Sequence, residues 1–71
     1  MTRPAAKVLR RIEEIVAAMD PLTREVFLLH RIDDWSYPRI AHALGISVET
    51  VEKHLARGIG AIDEGLRRDG L

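Results

Sequence analysis

Apolar residues recur along this chain every three or four positions and nowhere alternate in twos, so the pattern predicts helices throughout and no strand. Val8, Leu9, Ile12, Ile15, Val16 and Met19 form one stripe opposite Arg10, Arg11, Glu13 and Glu14, which predicts a first helix over about residues 5–19. Asp20 reads as an N-cap and Pro21 as a first helical position, a pairing that ends one helix and starts the next. The second helix, "PLTREVFLLHRI" at 21–32, offers Leu22, Val26, Leu29 and Ile32 for burial, with Phe27 beside them. After the break "DDW", Ser36 caps a third helix at 37–44 with Pro38 in its first turn. Ile40, Ala41 and Leu44 form its inner face, and Gly45 closes it. Ser47 caps a fourth helix at about 48–64, whose buried stripe is Val48 in part, Val51, Leu55, Ile59 and Ile62. Gly58 and Gly60 are expected to weaken the middle of that helix by about 1 kcal/mol each relative to alanine. The tail "EGLRRDGL" has little to bury and is expected to fray.

The expected fold is therefore all-α: one four-helix domain over residues 1–71, with a C-terminal helix-turn-helix and no winged elements. The stretch "HALGISVETVEKHL" carries the helix-turn-helix. Gly45 supplies a left-handed residue, Ile46 plugs the turn into the core, Ser47 satisfies the amides of the next helix, and small Ala41 permits close approach. The second helix of such a unit presents its N-terminal half to the major groove of DNA. Periodicity alone does not separate a DNA reader from another small helical bundle.

Composition restricts the choices. Seventy-one residues make one small domain, and a domain of this size buries only roughly 60% of its unfolded surface. Without cysteine there is neither a disulfide framework nor a thiolate metal site. The longest apolar runs, such as "VFLL", are far short of a membrane span, and the N-terminal "MTRPAAKVLRRIEE" lacks the apolar core of a signal peptide. A cytoplasmic location is expected. Eleven basic and eleven acidic residues cancel. Stand-alone DNA binders usually carry a basic excess, so neutrality counts against strong autonomous binding but not against weak binding assisted by a larger assembly.

Other chemistries find little support. His30, His42 and His54 fall on three different predicted helices with no His-x-x-x-His or acidic pattern beside them, so no metal site or cofactor is expected. His54 reads instead as a groove-side or phosphate-side residue. Trp35 and Tyr37 are of the kind that stacks on bases, but Trp35 reads better as closing the core between the second and third helices. Neither a Gly-rich phosphate loop nor an acid–base pair spaced for a cleft is present, so no enzyme is expected.

The wider string "LTREVFLLHRIDDWSYPRIAHALGISVETVEKHLARGI" resembles region 4 of bacterial sigma factors of the extracytoplasmic-function group. That family reads approximately L-P-x-R-x-R-x-V-F-L-L, then an acidic-aromatic loop, S-Y-x-E-I-A, L-G-I-S and T-V-x-x-x-L. The resemblance runs from about Met19 to Ile59, and "TVEKHLARGI" is most similar to the iron-uptake branch. It implies a four-helix domain that binds the promoter −35 element, packs on the β flap of core RNA polymerase, and is often masked by an anti-sigma factor. By this resemblance Val48, Glu49, Glu52 and Lys53 match base-reading positions. Arg57 matches a phosphate contact, as do Arg39 and Ser47 near helix ends, with His54 on the same side. Arg39 stands where the family usually has a capping-box glutamate, losing a reciprocal hydrogen bond and adding positive charge toward DNA. Nothing in these residues supplies the region that opens a −10 element.

Glu49 and Glu52 are unusual in a DNA reader. A carboxylate accepts from cytosine N4 in the major groove, at the expense of repelling phosphate. Both also suit the positive end of a helix dipole without any DNA. Two other functions compete with the promoter reader. One is a sigma-like protein-interaction module for an anti-sigma factor or the polymerase flap. The other is the effector domain of a quorum-sensing-type response regulator, with which the chain shares "LTREV" and "TVEKH". The apolar surface of so small a domain is also suited to forming a homodimer in isolation.

Overall fold

The computed structural model describes residues 4–70, with side chains from residue 6 onward. Four helices follow one another: α1 (Pro4–Ala18), α2 (Pro21–Arg31), α3 (Tyr37–Leu44) and α4 (Val48–Arg68), and the described residues contain no strand. This is the expected all-α fold with its helix-turn-helix in α3 and α4.

The caps fall where short polar side chains stood before apolar stripes. Asp20 accepts the Thr23 amide at 3.2 Å, Ser36 the Arg39 amide at 3.3 Å, and Ser47 the Thr50 amide at 3.0 Å. Each satisfies one of the amides that a helix start leaves unpaired. The last carbonyls of α1 are met from outside the helix, by Arg24 of α2, whose Nη1 donates to Ala17 at 3.1 Å and Met19 at 3.4 Å. Gly45 ends α3 at φ 67°, and the Ile46 amide donates back to the Ala41 carbonyl at 3.0 Å. That left-handed turn redirects the chain into α4 within three residues.

α4 is the spine, with α1, α2 and α3 all packed against it. Its buried Val51 and Leu55 meet Val26, Phe27, Ile40 and Ala41, while Ile15 and Met19 extend the core toward α1. Three expected core residues are instead exposed: Leu9 at 59%, Ile32 at 73% and Ile59 at 47%. Leu9 and Ile59 lie on the outer flank of their stripes, and Ile32 follows the last residue of α2. Conversely Thr23 is only 2% exposed, although it is polar.

The C-terminal segment corrects the expectation of fraying beyond residue 64. α4 continues to Arg68, with Leu66 packed against the core and Asp69 paired with Arg11 of α1. Gly65 makes this possible: a Cβ there would lie 3.0 Å from Ile15 Cγ1 and closer still to Cδ1. Gly58 likewise faces Phe27 and Thr23, where a Cβ would meet Phe27 Cδ1 at 3.2 Å. These two glycines are points of close helix approach, whereas Gly60 has open space around it. Leu71, at the end of the tail, lies outside the described residues, as do Met1–Arg3.

Candidate nucleic-acid interface

The face of α4 opposite Val51, Leu55 and Gly58 is built by helical spacing. Glu49, Lys53, Ala56 and Gly60 stand four, three and four residues apart, forming one exposed stripe along the helix. Glu52 is also exposed, on one flank of this stripe. Among the described residues Glu49, Glu52 and Lys53 take part in no ion pair. Glu49 and Lys53 are spaced i to i+4 with the acid first, the favourable order for mutual support on a helix. Val48 differs from this group, because it is half-buried against the core and is not fully presented.

The opposite flank of α4 meets the start of α2 through a short polar relay. The Thr23 hydroxyl lies 2.8 Å from Asp20 Oδ1 and 2.8 Å from His54 Nδ1. Asp20 also accepts the Thr23 amide, and these two bonds, the hydroxyl first, hold its carboxyl below the usual carboxylate range. An ionised carboxylate only accepts, so the hydroxyl proton goes to Asp20 and the His54 proton sits on Nδ1, donating to Thr23. This explains how a threonine is buried without an unsatisfied group. It also fixes the His54 ring, whose Nε2 makes no hydrogen bond to the described residues.

Arg57, one turn further, has Nη1 3.7 Å from Asp20 Oδ1 with both side chains about half exposed. The expected phosphate contact is therefore already weakly engaged by a carboxylate. Ser47 is occupied as the α4 cap, its hydroxyl 2.8 Å from that of Thr50. Arg39 sits in the first turn of α3 with its guanidinium carbon 4.0 Å from the centre of the Trp35 ring. Trp35 itself is half-buried against the core, as expected of a residue closing the α2–α3 turn.

The structure thus brings Glu49, Glu52, Lys53, Ala56 and Arg57 onto the outward side of α4, with Arg39 and Ser47 at helix starts. His54 is turned toward α2. Sequence reasoning missed Ala56, whose position on the outward stripe was readable from the helical period. It missed the Asp20–Arg57 pair, which joins residues too distant for any local pattern. It also missed the Trp35–Arg39 stack, although the two residues are only four apart.

Among the described residues no helix is long and apolar enough to cross a membrane. Comparison with known proteins agrees with the geometry. The family described as sigma-70, region 4 matches residues 9–62, most of the chain. The ferric citrate uptake sigma factor FecI of Escherichia coli (strain K12) is 34% identical over 53 residues, which cover 75% of this chain and 31% of FecI. The positive control factor of Bacillus subtilis (strain 168) is 40% identical over 47 residues, covering 66% of this chain and 28% of that protein. The chain therefore spans less than a third of either relative's length. Its four helices, the glycine-turned helix-turn-helix and the family match over residues 9–62 lead to one conclusion: the chain belongs to the sigma-70 region 4 family.

Proposed function

We propose that this chain is the region 4 domain of a sigma factor and reads promoter DNA of the −35 type through the outward face of α4. One observation carries the reading: α4 leaves a capped, glycine-set turn with Glu49, Glu52 and Lys53 exposed on its first two turns and engaged by no described ion pair. In helix-turn-helix docking that segment enters the major groove while the preceding helix crosses the backbone. Lys53 is suited to guanine O6 or N7, and Glu49 or Glu52 to cytosine N4. Arg57, Arg39 and Ser47 are assigned to phosphates, while His54, its ring proton committed to Thr23, presents only an acceptor at Nε2 and is left out of that set. Small Ala56 and Gly60 let the helix lie close to the groove floor.

Zero net charge makes the general phosphate attraction weak. We therefore assign the rest of the promoter affinity to core RNA polymerase. Exposed Leu28, Ile32 and Ile59, with a shallow groove lined by Phe27, Arg31, Ile62 and Leu66, form an apolar surface suited to the β flap or to an anti-sigma factor. In isolation the same surface is suited to self-association. Charge balance and the two glutamates also favour a second reading, a protein-interaction module without DNA binding.

Fluorescence anisotropy with short duplexes over a range of salt separates the two. A promoter reader loses affinity linearly with log salt, Arg57→Ala lowers that slope by about 1 on every duplex, and Lys53→Ala relaxes preference at one position. Identical losses from both variants on all duplexes sink the base-reading role of Lys53. No binding by a folded domain supports the interaction module.

A further inference from the structure

The α2–α3 turn holds an arrangement that neither the core nor the recognition helix requires. The Trp35 amide donates to the Leu29 carbonyl at 3.0 Å, and the Trp35 carbonyl lies 3.1 Å from His30 Nδ1. A carbonyl only accepts, so His30 carries its proton on Nδ1. The Tyr37 ring packs against the same imidazole with centroids 5.2 Å apart. Trp35 is thus anchored by its main chain on both sides, with its indole half-buried against the core. The guanidinium of Arg39 lies over the indole, 4.0 Å from the ring centre.

Arg11, Arg57, Arg67 and Arg68 pair with carboxylates, and Arg24 donates to main-chain carbonyls. Arg10 and Arg31 have no ion pair among the described residues, and neither is stacked on an aromatic ring there. Arg39 has no carboxylate partner among the described residues. Stacking uses the face of a guanidinium and leaves the N–H donors around its edge available. An arginine stacked before binding has already given up side-chain freedom that an unrestrained one loses only on gripping its ligand.

We propose that Trp35 is a positioning residue for DNA binding: its indole face presets the Arg39 guanidinium, edge outward, for one backbone phosphate. The proposal rests on the promoter-reading function above. It gives this chain a backbone contact at the position where the resemblance has a capping glutamate, and it requires arginine and not lysine, since an ammonium has no planar face to stack.

Two measurements test it. The first uses the unaltered protein: the δ-methylene protons of Arg39, held over the indole, are shifted upfield by its ring current in NMR spectra, and remain so when duplex DNA is added. The second is duplex affinity at fixed salt, together with its salt slope, for Arg39→Ala, Arg39→Lys, Trp35→Leu, Trp35→Phe and the double variant Trp35→Leu/Arg39→Ala, each checked for helicity. Arg39→Ala lowers the slope by about 1 on all sequences, the signature of one lost phosphate contact. Trp35→Leu and Arg39→Lys keep a near wild-type slope because the charge remains, but bind all sequences more weakly at fixed salt, Trp35→Phe restores the affinity, and the double variant binds no more weakly than Arg39→Ala. Wild-type affinity in Trp35→Leu, or an upfield shift that vanishes on binding, overturns the positioning role while leaving DNA binding intact. A wild-type protein that binds no duplex overturns both readings, and the absent slope identifies that case.

Discussion

Replacing Gly65 with alanine asks how closely α1 lies on the end of α4. Alanine favours a helix interior over glycine by about 1 kcal/mol. At Gly60, where an added Cβ meets nothing within 4 Å, that gain is realised in full. Gly60→Ala should therefore raise the melting temperature by roughly 4–8 °C for a domain of this size. At Gly65 the same gain is opposed, because the Cβ comes within 3.0 Å of Ile15 Cγ1 and nearer to Cδ1. Ile15 is buried in the α1–α4 seam and has little room to turn aside. Overpacking of this kind costs about 1–3 kcal/mol, so Gly65→Ala should be neutral to about 2 kcal/mol destabilising. Ile15→Val removes the offending Cδ1 at a cost of about 0.5–1.5 kcal/mol. Combined with Gly65→Ala it should cost about 1 kcal/mol less than the two single effects added together. Urea unfolding followed by far-ultraviolet circular dichroism gives all four values, with an unchanged denaturant slope showing that only stability moved. If Gly65→Ala stabilises as much as Gly60→Ala and shows no coupling to Ile15, the end of α4 does not pack on α1 and the reasoning fails.

Other consequences can be checked alongside. Gly45→Ala meets no atom within 4 Å but must adopt φ 67°, so it should cost about 1–2 kcal/mol by backbone strain alone. Thr23→Val should cost about 1–3 kcal/mol by removing the hydroxyl that joins Asp20 to His54, and a nitrogen-15 spectrum should show the His54 tautomer no longer fixed. Because the Asp20 carboxyl is held below its ordinary value, chiefly by Thr23, its contribution is complete above the unfolded carboxylate value of 3.8 and is lost as pH falls through the lowered one. Asp20→Asn should flatten that acid limb of the stability profile. By releasing Arg57 it should also strengthen binding to all duplexes alike, and an unchanged affinity would count against Arg57 as a phosphate contact.

What the sequence disclosed was local. Asp20, Ser36, Ser47 and Gly45 act within one turn of where they stand, so their positions sufficed to mark the helix starts and the turn. A stripe of apolar residues, by contrast, states which face of a helix is buried but not how wide a strip of it a partner covers. Leu9 and Ile59 sit at the edge of their stripes and Ile32 just beyond α2, and all three remain exposed. Gly65 and Ile15 are fifty positions apart, and only the packed helices reveal that a glycine in a tail expected to fray is a point of contact. Thr23 is buried because two polar neighbours complete its hydroxyl, one of them on α4, which hydrophobicity cannot register. Along the candidate interface, Glu49, Glu52 and Lys53 were legible from helical period and resemblance together. The engagement of His54 by Thr23 and of Arg57 by Asp20 was not, because each depends on where α2 begins relative to α4.

Selection from a pool of random duplexes at low salt, with the purified domain and sequencing of the bound fraction, tests the central claim most directly. A promoter reader of this family should enrich one short motif, with a cytosine or guanine preference that changes when Glu49, Glu52 or Lys53 is replaced. A bound pool with no motif, from a domain that circular dichroism shows to be helical, would contradict sequence-specific DNA reading by α4.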